Sequence, residues 1–294
     1  MRLEYRPVDT TKPESTYLAA FRSDVTSQRG EDGVAAKLLD LIGATNRWCV
    51  EFGAWDGKKY SNTWALINQS GWNGVLIEGD AARFEDLKVT YRDNPRVKPV
   101  NRYVGFGAHS LDTILSELAC PTDPDFMSID IDGMDWHIWD SLEQFKPRLL
   151  VIEFNPTIPN DIVFVQARDP RVNQGCSLLA LIELGKRKGY ELAATTPLNA
   201  FFVRADLFPK VGIADNSINA IHNSAPSETK VFQLYDGMLV IAGVTKLLWA
   251  DYPLYPWMLQ PLPRWHRKYP PTVEPWSLWG RIRFRLARLA RELI

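Results

Sequence analysis

Cysteine is scarce in this chain, long apolar runs are absent, and neither sign of charge dominates. Three cysteines among 294 residues, odd in number and far apart, fit neither a disulfide framework nor a zinc site and favour a reduced, cytoplasmic protein. There is no stretch of about 18 uncharged apolar residues and no signal-peptide core, so we expect neither a membrane span nor secretion by that route. The net charge of −1 excludes an obligate polyanion binder, and we expect no nucleic-acid partner.

What the chain does contain is a regular alternation of predicted strands and helices. Runs typical of strands buried on both faces of a parallel sheet lie at 48–52, 74–78, 97–101, 126–130 and 148–154. Helical spacing is found near 31–42, 61–68, 81–91, 110–118, 135–142 and 177–188. Two more strands, 190–196 and 199–204, are joined by a connection too short for a crossover. We predict a Rossmann-like α/β fold: a mostly parallel seven-stranded sheet with an antiparallel edge hairpin and helices on both faces.

Composition changes along the chain divide it into four predicted parts. These are an N-terminal extension (1–30), a cofactor-binding domain (31–205), an accessory region with a strand pair or a strand and turn (206–250), and a Pro/Trp-rich segment ending in a basic helix (251–294). In that helix one face holds Trp279, Ile282, Leu286, Leu289 and Leu293, and the other holds Arg281, Arg285, Arg288 and Arg291. Such a helix fits an anionic membrane surface, or it docks on the domain or on a second subunit of a homo-oligomer.

Acidic residues and glycines follow the first two strands, where ligands bind in open α/β sheets. The residues concerned are Glu51, Gly53, Asp56, Gly57 and Glu78. Glycines let the backbone approach a ligand, whereas the acids repel a pyrophosphate and suit a cationic ligand such as S-adenosylmethionine, which carries a sulfonium and an ammonium. Glu78 is placed to accept hydrogen bonds from ribose hydroxyls, and Asn101, ending the third strand, to meet the adenine edge.

A second group of oxygen ligands follows the fourth and fifth strands. SIDIDGMDWH carries Asp130, Asp132 and Asp135, and IEFNP carries Glu153 and Asn155. Neighbouring strands lie about 4.8 Å apart, so these oxygens converge, and a cation between them would offset the repulsion of the carboxylates. Oxygen donors suit Mg²⁺ or Mn²⁺. The alternative is that the aspartates only cap the next helix and its loop.

Four motifs, VEFGAWDGKKYSNT, GVLIEGD, SIDIDGMDWHIW and VIEFNPTIPND, make residues 31–204 resemble the FkbM-like class I S-adenosylmethionine-dependent methyltransferases. The resemblance implies methyl transfer to a hydroxyl of a sugar or glycan, and a lipid-linked acceptor would agree with a membrane-binding helix. The acidic cluster also resembles the metal site of macrocin-type sugar O-methyltransferases, although Phe154 here separates the two fifth-strand ligands. That likeness implies Asp130, Glu153 and Asn155 as metal ligands.

Methyl transfer to an aliphatic hydroxyl needs a base, and the metal-site resemblance implies Asp132 in that role. Asp132 is the first candidate, His137 is the second, and Asp130 also borders the predicted cofactor site. Two alternatives stay open: a metal-independent O- or N-methyltransferase of the same fold, and a non-catalytic nucleoside-binding or interaction subunit.

Overall fold

The computed structural model describes residues 3–248, 251–260 and 277–291. The chain divides into two compact units, one of Asp9–Ser224 and the other of the described parts of Met1–Val8 and Ala225–Ile294. The first unit extends beyond 31–205 at both ends, because its two ends pack on each other. The Lys12 N–H donates to the Ala220 carbonyl at 2.9 Å, and the Ser15 hydroxyl donates to the Asp215 carbonyl at 2.6 Å.

The first unit contains a seven-stranded sheet. Its strands are β1 (Trp48–Phe52), β2 (Asn73–Glu78), β3 (Val97–Asn101), β4 (Phe126–Ile129), β5 (Leu149–Glu153), β6 (Tyr190–Thr195) and β7 (Asn199–Arg204). Their spatial order is β3-β2-β1-β4-β5-β7-β6. Strands β1 to β5 are parallel, and β7 runs antiparallel to both β5 and β6. The predicted fold is confirmed: a mostly parallel seven-stranded, Rossmann-like sheet with an antiparallel edge hairpin.

Helices cover both faces of this sheet. They are α1 (Pro13–Thr16), α2 (Glu31–Ile42), α3 (Trp64–Asn68), α4 (Ala81–Thr90), α5 (Leu111–Glu117), α6 (Asp135–Ser141), α7 (Leu178–Lys188) and α8 (Ile218–Ile221). Neighbouring residues of β1 alternate between two apolar clusters: Cys49 packs with α2, α3 and α4, whereas Val50 and Phe52 pack with α5, α6 and α7. Burying each such aliphatic or aromatic side chain contributes roughly 1.5–3 kcal/mol. The sheet is therefore the middle layer of three.

The second unit is smaller and has its own elements. They are β8 (Thr229–Gln233), β9 (Leu239–Gly243), β10 (Lys246–Leu247), β11 (Tyr252–Pro253), α9 (Pro256–Leu259) and α10 (Leu278–Arg291). β8 and β9 form an antiparallel pair, which is the first of the two structures that the sequence allows there. Among the described residues, no helix combines the length and the apolar character needed to cross a membrane.

Candidate functional site

A cavity of about 540 Å³ opens at the carboxyl ends of β1, β2, β3 and β4. Glu51 and Gly53 reach it from β1 and the loop that follows, Glu78 from the end of β2, and Asp130 and Asp132 from the loop after β4. Five of the predicted site residues therefore line one cavity, in the position where open α/β sheets bind ligands.

Gly53 brings the ends of β1 and β4 into direct contact. Its φ is +76°, and a Cβ built at this position would lie 1.9 Å from the backbone oxygen of Asp130. Only glycine adopts this φ without steric cost and also leaves room for the neighbouring backbone. The loop after β1 and the acidic loop after β4 are therefore packed backbone to backbone.

Glu51 is buried at the base of the cavity with its carboxylate fully engaged. One oxygen accepts from the Ser61 and Thr63 hydroxyls, each at 2.6 Å, and the other accepts from the Asn62 N–H at 2.7 Å. Burial raises the pKa of Glu51, and these hydrogen bonds oppose that effect. The sequence predicts a helix from Ser61, but α3 begins at Trp64 because residues 61–63 bind this carboxylate.

Glu78 organises the neighbouring wall. Its two oxygens accept hydrogen bonds from the Trp55 N–H at 2.8 Å and the Asp80 N–H at 2.7 Å. The Asn101 amide donates to the Glu78 backbone carbonyl at 2.9 Å and lies outside the cavity wall. Asn101 therefore supports the end of β2, and contact between its side chain and an adenine stays a prediction.

Asp56 and Gly57 also lie outside the wall. The Asp56 carboxylate accepts from the N–H groups of Lys58 and Lys59, at 2.9 and 2.7 Å, so it closes its own turn. Gly57 has φ +72°, and a Cβ there would lie 2.4 Å from the side chain of Leu87. Both residues shape the loop after β1, and the structure places neither beside the cavity.

A compact acidic cluster adjoins the cavity. Asp130, Asp132 and Glu153 each bring one carboxylate oxygen to within 4.8 Å of the others. Burial, followed by the negative charges around them, raises the pKa of Asp130 to about 7 and that of Glu153 to about 9. Offsetting the negative charge of these three carboxylates requires bound protons or a cation. The cluster therefore contains Asp132, which the sequence predicts as a base, together with two of the three predicted metal ligands.

Asp135 holds the loop that presents Asp132. Its carboxylate is buried and accepts from the Ile131 N–H at 3.0 Å and the Gly133 N–H at 2.8 Å. Burial raises the pKa of Asp135 to about 6. Asp132 lies between Ile131 and Gly133 in the sequence and has a φ of 57°, a left-handed conformation that aspartate tolerates better than most residues. Its side chain is exposed to the cavity.

Asn155 and His137, both predicted in the site, instead contact the loop over residues 156–176. The Asn155 amide oxygen accepts from the Thr157 N–H at 2.9 Å and from the Thr157 hydroxyl at 2.6 Å, so this oxygen is already occupied. His137 Nε2 lies 2.9 Å from the Gln166 carbonyl oxygen. Since a carbonyl only accepts, Nε2 must carry a proton there and is not free to receive one.

The buried Gln166 fixes that loop. Its side-chain oxygen accepts from the N–H groups of Gln174 and Gly175, each at 2.8 Å, and its amide donates to the Val172 carbonyl at 2.8 Å. Pro170 and Val172, between these anchor points, line the cavity. The loop therefore forms a wall of the cavity on the side of Asp132.

Sequence reasoning missed the cationic part of the wall, which lies around Trp55. Lys59 Nζ lies 4.4 Å and the Arg83 guanidinium 4.3 Å from the centre of the Trp55 ring, and all three residues line the cavity. Trp55 has φ 49°, which is unusual for a bulky residue. Nothing in the spacing of these residues indicates the cluster, because Arg83 comes from the next crossover helix.

No protein-family model matches this chain, and no curated protein sequence matches it. Among solved structures it is similar to the O-methyltransferase from Bacillus cereus in complex with SAH, at 19% identity and TM-score 0.41, over 64% of this chain and 87% of that one. It is also similar to the CcbJ methyltransferase from Streptomyces caelestis, at 12% identity and TM-score 0.39, over 67% of this chain and 100% of that one.

A third similar structure is the METTL16 MTase domain, at 18% identity and TM-score 0.36, over 58% of this chain. The match spans 65% of that domain, slightly less than two thirds of its length. Likenesses at such low identity and TM-score carry no conclusion about what this chain binds or catalyses. The strand order β3-β2-β1-β4-β5-β7-β6 shows the fold independently of these likenesses.

Proposed function

We propose that this protein is an S-adenosylmethionine-dependent O-methyltransferase acting on a sugar or glycan hydroxyl with the help of a divalent cation. The observation that carries the proposal is the joining of two features at one end of the sheet. One is the cavity bordered by Glu51 and Glu78, and the other is the carboxylate cluster of Asp130, Asp132 and Glu153.

The charges of the cavity wall support the choice of cofactor. S-adenosylmethionine carries a sulfonium, an ammonium and a carboxylate, and when bound it supplies an electrophilic methyl group. The carboxylates of Glu51, Glu78 and Asp130 would favour the positive groups, and Lys59 and Arg83 the negative one. The free lone pairs of Glu78 would accept hydrogen bonds from ribose hydroxyls.

The donor set of the cluster fits a hard divalent cation. Its ligands are all carboxylate oxygens, and their raised pKa values reflect burial and like-charge repulsion. Asp130 and Glu153 would hold Mg²⁺ or Mn²⁺, which when bound would lower the pKa of an acceptor hydroxyl. Asp132 is exposed to the cavity and would take the proton of that hydroxyl. Asn155 would join only if its bonds to Thr157 were broken.

Calorimetry with S-adenosylmethionine, S-adenosylhomocysteine and NAD tests the cofactor. We expect both sulfur compounds to bind and NAD not to bind. If neither sulfur ligand binds, the proposal is wrong in all its forms. If NAD binds instead, the cavity belongs to a dehydrogenase.

An acceptor screen tests the reaction. S-adenosylhomocysteine release is measured with capsule, O-antigen and small glycoside acceptors, and we expect EDTA to abolish transfer while leaving cofactor binding intact. Asp132→Asn is the matched catalytic control, since it keeps the shape of the side chain and removes its basicity. Binding of the cofactor without transfer to any acceptor would favour a non-catalytic nucleoside-binding subunit.

A metal-independent methyltransferase of the same fold is the second candidate, and one observation favours it. The pKa of Glu153, raised to about 9, allows a bound proton, instead of a cation, to neutralise the cluster near neutral pH. Asp132 would then act alone as base. Transfer that continues unchanged in EDTA would select this candidate and remove the cation from the proposal.

A further inference from the structure

Helix α10, in the second unit, is strongly amphipathic and takes no part in the proposed site. It spans 14 residues, Leu278–Arg291, and is therefore about 21 Å long. Trp279, Ile282, Leu286 and Leu289 fall within an arc of about 80° when each residue turns by about 100°. Their side chains are exposed by 71%, 38%, 61% and 56%, so this apolar stripe faces solvent.

The charge of α10 is of one sign. The helix contains five arginines and no acidic residue. Arg283 and Arg285 flank the apolar stripe on its two sides, Arg281 lies further round, and all three side chains are exposed. Long arginine side chains beside an apolar stripe can extend their charges outward while the stripe is buried in an apolar medium.

Aromatic side chains are exposed elsewhere in the same unit. Trp257 lies in α9 and Tyr255 directly precedes this helix. Their rings are nearly parallel, with centres 6.0 Å apart and an interplanar angle of 9°. Tyr255 is 47% exposed and Trp257 is 71% exposed. Tyrosine and tryptophan combine an apolar ring with a polar atom and are typical of interfaces between apolar and aqueous media. Both α9 and α10 therefore expose a tryptophan to solvent.

We propose that α10 binds the surface of a membrane rich in anionic phospholipids, lying in the plane of the interface with its apolar stripe in the acyl boundary. Charge complementarity selects this occupant, because the arginines match anionic headgroups. A contact of α10 with α10 of a second copy is a poorer match, because it brings arginines together with no acid within Leu278–Arg291 of either helix. The proposal does not depend on methyl transfer.

Co-sedimentation of the full chain with vesicles tests the proposal. The vesicles contain either phosphatidylcholine alone or equal parts of phosphatidylcholine and phosphatidylglycerol. We expect binding to the anionic vesicles only, weakening as salt is raised because salt screens the arginines. Binding that is equal on both vesicle types, or absent from the anionic ones, overturns the proposal.

Two sets of substitutions separate the charge from the apolar stripe. Removing the charge with Arg281→Gln, Arg283→Gln and Arg285→Gln should weaken binding by about 100-fold, since each basic residue near an anionic surface contributes roughly fivefold. Removing the stripe with Trp279→Ser and Leu286→Ser should weaken it by about tenfold or more.

A matched control tests whether net charge alone explains the loss. Replacing Arg29, Arg92 and Arg96, which are exposed in the first unit, by glutamine removes the same charge and should change binding by less than about twofold. If the Trp279→Ser and Leu286→Ser variant binds vesicles as tightly as the wild type, the contact is purely ionic and the proposal is wrong. If light scattering shows a dimer that this variant dissociates, a second copy covers the stripe and the proposal is again wrong.

Discussion

Replacing Gly53 by alanine should damage the fold and the cavity together. A Cβ there would lie 1.9 Å from the Asp130 backbone oxygen, and the φ of +76° is unfavourable for alanine. The left-handed conformation costs roughly 1–2 kcal/mol, and forcing apart a packed contact adds about 1–3 kcal/mol. We therefore expect Gly53→Ala to lower the free energy of unfolding by about 2–5 kcal/mol.

Gly71→Ala is the matched control for this substitution. Gly71 has a similar φ of +73°, but nothing lies within 4 Å of its Cβ position, so the variant carries the conformational cost alone. At about 2–4 °C per kcal/mol, the melting temperature should fall by roughly 5–15 °C in Gly53→Ala and by clearly less in Gly71→Ala. Calorimetry and S-adenosylhomocysteine titration measure both effects, and we expect about tenfold weaker binding in Gly53→Ala alone. Equal losses in the two variants would refute the close contact between the ends of β1 and β4.

Three further predictions concern the acidic cluster and Asp135, which holds the loop of that cluster. Without divalent cations, stability should fall as the pH rises above about 4.5, because the folded chain retains protons on Asp130 and Glu153, whose pKa values are raised from 3.8 and 4.5. In calorimetry with EDTA, the free energy of unfolding should fall less steeply with pH for Glu153→Gln than for the wild type. An unchanged dependence on pH would contradict those pKa values. Asp132→Asn should lower methyl transfer by about 100-fold or more with melting temperature unchanged, whereas retained turnover would exclude it as the base. Asp135→Ala leaves two N–H groups without their acceptor and should cost about 2–4 kcal/mol in urea denaturation, and a loss below about 0.5 kcal/mol would show that water replaces the carboxylate.

The strands of the sheet could be predicted closely because their pattern is local. The run WCVEF is apolar except for Glu51 and lies between Arg47 and Gly53, and β1 is Trp48–Phe52 as predicted. The start of α3 could not be predicted in the same way. Ser61 and Thr63 satisfy the buried Glu51 ten and twelve residues earlier, and that tertiary contact prevails over helical periodicity.

The sequence predicts the positions of those site residues that lie at the ends of strands. Asp130 and Glu153 end or follow neighbouring parallel strands, so their convergence follows from the topology. A strand continuing to residue 155 would place Asn155 on the face of Glu153, but β5 ends at Glu153 and the next turn directs the amide oxygen of Asn155 to Thr157. The contact of His137 with Gln166 joins residues 29 apart in sequence, which no local pattern specifies.

The way Gln166 holds the loop over residues 156–176 has a consequence for altering the cavity by design. The loop is held by hydrogen bonds between the Gln166 side chain and the backbone of Val172, Gln174 and Gly175. The side chains of Pro170 and Val172 take no part in these bonds. A library that randomises these two positions would vary the cavity wall next to Asp132 while keeping the loop in place. The binding preference of the cavity could thus be varied with little loss of stability.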